Sequence, residues 1–237
     1  MKRSILLSLL FLSIATFSFA QLKEVTTGPF ESFKAFGPFK VTLIKSSNPH
    51  MEIDYNGINS DDVEILTRNH EVSLKIKTRH YWDWDFEDRF DGRYMQVKLY
   101  YKELENIEGR AGARIWSEGT LTASHLSIVG KMGAEIELTL DAQQVELEAS
   151  MGAEVELVGK AERFYVEAKM GTEVKASHLE CESVEASASM GADVSVYAAK
   201  ELDANAGFGA EVRYAGDPMV KHTNTNFGAD VRRTGKK

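Results

Sequence analysis

The sequence predicts an all-β fold, a single-stranded right-handed parallel β-helix with coils of about 19 residues. The first observation is a phrase that recurs through the second half. It begins as Ala111-Gly112-Ala113-Arg114-Ile115, continues as Met132-Gly133-Ala134-Glu135-Ile136, and ends as Phe227-Gly228-Ala229-Asp230-Val231. Its glycines are Gly112, Gly133, Gly152, Gly171, Gly191, Gly209 and Gly228, spaced by 21, 19, 19, 20, 18 and 19 residues. Near-constant self-similarity at that period marks a solenoid. The second observation is strict alternation on both sides of each glycine, as in Glu135-Ile136-Glu137-Leu138 and Val145-Glu146-Leu147-Glu148-Ala149. Period-2 patterning means strands with one buried face, and such coils have no room for a helix. The third is what the repeat lacks: no leucine-rich consensus and no six-residue sub-period of a left-handed β-helix. Crossovers between parallel strands are right-handed almost without exception, which sets the expected hand.

In chain order, residues 1–20 read as a secretory leader. Lys2 and Arg3 form its charged start, Ile5 to Ile14 its apolar stretch, and Ser18-Phe19-Ala20 a small-x-small cleavage site. The apolar run is too short for a membrane span. Gln21, not a lipid-accepting Cys, follows the cut. The chain is therefore expected to be exported, and to reside in the periplasm, at the outer membrane or outside a Gram-negative cell. Loss of Lys2 and Arg3 takes the net charge from −8 to −10, which excludes nucleic acid and anionic membranes as partners.

Residues 21–108 read as irregular β coils that continue the stack and cap its first rung. Alternating segments lie at Phe39–Ile44, Met51–Tyr55, Val63–Leu66, Val72–Ile76 and Met95–Tyr101, with a turn cluster from Asn59. Between two of them, residues 79–94 form an excursion rich in aromatics and acids. It holds two of the three Trp, and Tyr81, Trp82, Trp84, Phe86 and Arg89 are the candidate ligand-binding residues. Exposed aromatics beside carboxylates stack on sugar rings, and Trp, Tyr and Arg anchor protein interfaces. The competing reading is a hairpin with Trp82, Trp84 and Phe86 turned inward.

Residues 109–237 hold the regular coils. Equivalent residues of successive rungs should stack about 4.8 Å apart, with each glycine at a corner that needs positive φ or close backbone approach. Three inward rows follow. One runs from Ile115 through Ile136, Val155, Val174, Val194 and Val212 to Val231. Another runs Leu126, Val145, Phe164, Val184, Leu202. The third is the leading residue of each phrase: Met132, Met151, Met170, Met190, Phe208 and Phe227, read as apolar filler because Phe replaces Met. Outward, Glu135, Glu154, Glu173, Asp193, Glu211 and Asp230 form a row of acids headed by Arg114. Repulsion along it should recruit Lys or Arg, or collect Ca²⁺ weakly near Glu135, Glu137, Glu154 and Glu156. No other cofactor is implied. Lys221 to Asn226 put polar residues where earlier coils are apolar, a cap for the far end. Cys181 is alone, so it forms no internal disulfide and reads as a small buried corner residue.

The opening Phe33-x-x-Phe36-Gly37-x-Phe39-x-Val41-x-Leu43, the serial Gly-Ala corners and the closing Tyr214-x-Gly216-x-Pro218 resemble the putative auto-transporter adhesin head GIN domain family. That family usually carries Ser where Met or Phe precedes each corner glycine here. The resemblance implies a β-helix shaped like pectin lyases without their catalytic residues, and a role in adhesion to a glycan or cell-surface protein. With no C-terminal barrel in sight, the expectation is a head-like module held at the surface by something else or left in the periplasm. No Ser-His-Asp order, phosphate loop or metalloprotease motif points to catalysis. A carbohydrate-processing β-helix using the excursion, and a self-associating envelope protein, stand as alternatives. The oligomeric state is left open.

Overall fold

The computed structural model describes residues 22–77 and 92–234. Among the described residues all the strands join in one 16-stranded sheet that winds into a solenoid. In the regular part, β9 (Arg114–Lys131), β10 (Glu135–Ser150), β11 (Glu154–Lys169), β12 (Glu173–Ser189) and β13 (Asp193–Gly207) each span most of a coil. Each bends midway, so its first half lies on a front face and its second half on a back face. The bends stack as the row Ala123, Ala142, Ala161, Cys181, Ala198. Alternation slips by one residue there: Ala142 is buried, Gln143 exposed, and the inward face resumes at Val145. Cys181 is buried among alanines, as its isolation suggests, and burial pushes its thiol up to about 12.

Register is parallel and matches the predicted rows. Ile115, Ile136, Val155, Val174, Val194 and Val212 are successive partners, as are Leu126, Val145, Phe164, Val184 and Leu202. All of these side chains are buried. The last rung, β14 (Glu211–Ala215), β15 (Val220–Thr225) and β16 (Asp230–Arg233), closes the stack. Lys221, Thr223 and Thr225 lie over Leu202, Ala204 and Ala206. Lys221 Nζ donates to the Tyr214 hydroxyl at 3.2 Å. Polar side chains thus cover the open end of the core, as a solenoid terminus requires.

The leading residues of the phrase depart from the predicted third inward row. Met132, Met151, Met170, Met190, Phe208 and Phe227 are 43, 44, 45, 53, 58 and 73 % exposed. The reason is local. Each sits at positive φ (48 to 58°) directly before a glycine that is also at positive φ. Two successive left-handed residues form a tight turn, closed where Ala192 N–H donates to Ser189 O at 3.3 Å. Parity counted across the corner (Leu147, Ala149, Met151, Ala153) assumes extended backbone. The turn breaks that assumption: it throws the Met outward and buries Ser150 and Ala153. Rungs still join at the corner, since Gly133 N–H donates to Met151 O and Gly152 N–H to Met170 O, both at 3.1 Å.

The early chain also departs from a simple continuation of the stack. β2 (Ser32–Phe36) turns through Gly37 into β3 (Phe39–Lys45), and this rung is intercalated. On the back face β2 lies between β6 (Glu71–Ile76) and β8 (Asn106–Arg110). On the front face β3 lies between β7 (Met95–Tyr101) and β9. The link from β7 to β8 therefore skips a rung. Gly37 permits the close fit, because a Cβ there would come within 2.7 Å of Ile76. Antiparallel strands finish this end: β4 (His50–Asp54) on β7, β1 (Lys23–Thr26) on β4, and β5 (Val63–Arg68) on β6. A short 3-10 turn, Ser60–Asp62, precedes β5, with the Asn59 side chain accepting from Asp61 N–H.

Candidate functional site

The corner that later carries Met-Gly is, in the rung formed by β6 and β7, replaced by residues 77–94. Residues 78–91, and with them Tyr81, Trp82, Trp84, Phe86 and Arg89, lie outside the described residues. Both feet of the excursion are described and tied down. Lys77 N–H donates to Asp62 O at 2.8 Å, and its Nζ to Asp61 O at 3.0 Å. Arg93 donates to Gly57 O at 3.3 Å, and Asn56 Nδ2 to Tyr94 O at 3.1 Å. The Tyr94 ring lies against two cations, with Lys40 Nζ 4.8 Å and the Arg114 guanidinium 4.7 Å from its centroid.

Beside this foot the front face forms a cleft of about 210 Å³ lined by Lys40, Arg114, Ile115, Trp116, Glu135 and Glu137. The strand pattern explains the grouping. Lys40, Arg114 and Glu135 are successive partners in one outward row, and Thr42, Trp116 and Glu137 in the next but one. Trp116 is half-buried, and Arg114 meets Glu135 at 3.0 Å. An aromatic face, two cations and two carboxylates thus converge where the excursion leaves the solenoid. Sequence reading passed over Lys40, Tyr94 and Trp116. Trp116 was the detectable signal, since it stands in the outward row of the repeat where later rungs carry Glu, Lys, Ser or Arg.

The acid row faces outward as predicted, and recruits cations unevenly. Lys175 meets Glu173 at 3.2 Å, while Arg213 holds both Asp193 and Glu211, at 2.5 and 3.1 Å. Arg232 also pairs with Glu211. Among the described residues Glu137, Glu154 and Glu156 form no ion pair. Together with Glu135 and Glu173 they line a shallow groove of about 70 Å³ that Lys175 borders. The Lys175 ammonium is held above its ordinary range, first by its hydrogen bond to Glu173 and then by charge from Glu173, Glu154 and Glu156. Among the described residues no three His, Cys, Asp or Glu side chains converge as a ligand set. A larger trough, about 790 Å³, runs along the opposite corner over the small-residue bend row. Its rim is mostly solvated charge, from Glu103, Glu105, Asp141, Lys160, Glu162, Glu180 and Glu182, with Tyr197 the one aromatic.

A family model described as putative auto-transporter adhesin, head GIN domain, matches residues 29–218. No curated protein matches the sequence. Solved structures share the fold, among them the following three. A putative adhesin from Bacteroides fragilis superposes with a TM-score of 0.76 at 17 % identity, covering 90 % of this chain and 96 % of the other. A putative adhesin from Parabacteroides merdae gives 0.66 at 18 %, covering 90 % and 95 %. A putative lipid binding protein from Parabacteroides distasonis gives 0.66 at 15 %, covering 91 % and 96 %. Among the described residues no helix is long and apolar enough to cross a membrane.

Proposed function

This chain belongs to the family of putative auto-transporter adhesins with a head GIN domain, and on that premise we propose that it is an exported, non-enzymatic module binding a glycan beside Trp116. One observation carries the reading: the cleft where Trp116 and Tyr94 flank Lys40, Arg114, Glu135 and Glu137. Sugars present an apolar C–H face, which stacks on aromatic rings, and hydroxyls, which both donate to carboxylates and accept from Lys and Arg. A few placed polar groups around an aromatic wall is the usual make-up of a small-molecule site. The described foot of the excursion at Tyr94 stands beside this cleft, and the proposal extends to Trp82 and Trp84 as contacts to the same ligand.

A glycan array finds the ligand, and titration calorimetry measures the variants. Trp116→Ala weakens binding at least about tenfold, roughly 1.4 kcal/mol, with an unchanged circular dichroism spectrum because the side chain is not in the core. Full binding by Trp116→Ala contradicts the reading. Release of reducing ends from the bound glycan would turn the protein into a carbohydrate-processing enzyme and contradict it equally.

A further inference from the structure

The exposed Met and Phe side chains form a ridge along the repeat corner. At about 4.8 Å per rung it runs roughly 24 Å, and Phe227 stacks on Phe208 with centroids 4.7 Å apart. Folding does not call for these residues. Positive φ in water favours Gly or Asn, and a bulky side chain there costs about 1 kcal/mol or more per residue. Six successive corners nonetheless carry Met or Phe. Taking roughly 200 Å² for a large apolar residue, the exposed fractions of 43 to 73 % leave about 600 Å² uncovered. That is the top of the range for a monomer surface, and close to the ~800 Å² each partner gives a standard interface.

The flanks of the ridge are unlike each other. On one side stand the carboxylates of Glu135, Glu154, Glu173, Asp193, Glu211 and Asp230. On the other, the residues that precede the six corners, Lys131, Ser150, Lys169, Ser189, Gly207 and Asn226, include no acid and two cations, which pair within the chain with Glu148 and Glu167. We infer that a second copy of this chain covers the ridge, related by a two-fold axis parallel to the solenoid. That axis places the acid flank of each copy against the acid-free flank of the other, with Glu135 opposite Lys131 and Glu173 opposite Lys169, and each Met packed against its own mate. An axis perpendicular to the solenoid would set acids against acids and is disfavoured. The acid flank and the net charge of −8 also turn the ridge away from an anionic bilayer.

Sedimentation equilibrium of the full chain tests this. The mass rises from one chain to two through the micromolar range. M132N/M151N/M170N/M190N weakens association at least about tenfold while the melting temperature holds or rises, since Asn accepts positive φ. Met151→Cys alone forms a symmetric intermolecular disulfide on oxidation, because the parallel axis brings each rung to its own equivalent; buried Cys181 does not compete. If the four-Asn variant fails to fold, this crosslink decides. A monomer at all concentrations, undiminished association of the four-Asn variant, a dimer that Met151→Cys does not crosslink, or a monomer that instead binds phosphatidylcholine vesicles through the ridge would each overturn the inference.

Discussion

The two halves of the molecule use the same strands to different ends. From β9 to β13 each rung repeats its predecessor, and a residue's environment follows from its place in the repeat. Before β9 no two rungs are alike: one is inserted between its neighbours, the edge strands run antiparallel, and a corner has grown into an excursion. The regular half supplies length and stiffness, whereas the irregular half supplies singular geometry. The cleft at Trp116 lies where the two meet. Its cations come from β3 and β9, which only the intercalated rung brings together.

Excision separates the two halves most clearly. Removing residues 151–169 joins Ser150 to Met170 and deletes one rung, and the chain should still fold because flanking rungs present matching rows. Removing residues 32–45 takes out the intercalated rung, leaves β7 and β6 without their parallel neighbours, and should abolish cooperative unfolding. Circular dichroism melts read both outcomes. At the next scale, Phe164→Ala removes the largest fully buried side chain of the regular core and should cost about 3–5 kcal/mol by denaturant unfolding. A much smaller loss would mean that neighbouring rungs collapse into the gap.

The bend row gives a pH signature. Folding raises the Cys181 thiol from 9.0 to about 12, by burial. The folded state therefore holds a proton that the unfolded state releases between those values. This contribution to stability is complete below pH 9 and is lost as pH rises toward 12, at up to ~1.4 kcal/mol per unit. Cys181→Ala should flatten that slope; an unchanged slope would assign it to other groups, such as the buried Tyr101, whose phenol burial also raises. The smallest effect belongs to the acid rungs without ion pairs. Millimolar calcium should raise the melting temperature slightly, and Glu154→Gln should remove the response. No shift in the parent chain would leave solvent screening to manage that repulsion.

How much of this was legible in the sequence follows from backbone geometry. Where the chain is extended, parity is reliable: Val155, Phe164 and Val184 point inward, and Glu135 and Glu154 outward, as alternation requires. Parity failed at Met151 because two left-handed residues intervene. The Met-Gly pair itself was the available clue, since X-Gly between strands is the signature of such a turn. The intercalated β2–β3 rung left no trace in the pattern. Strand pairing across distant segments is set by packing, such as the Gly37 approach to Ile76, and alternation does not record it. The polar cap from Lys221 to Thr225 was readable because it breaks the row of apolar residues. Of the candidate site, the excursion announced itself by composition, while Lys40, Arg114 and Trp116 meet only through the register of β3 with β9.

Like residues of successive coils stand in vertical rows. Spin labels at Ser127→Cys and His222→Cys, in a Cys181→Ala background, test it most directly. These positions sit in one row, through Glu146, Tyr165, Glu185 and Asp203. Five rungs at about 4.8 Å predict a narrow distance distribution near 24 Å. A broad distribution, or one centred well beyond about 35 Å, would contradict the stacked solenoid and every surface built upon it.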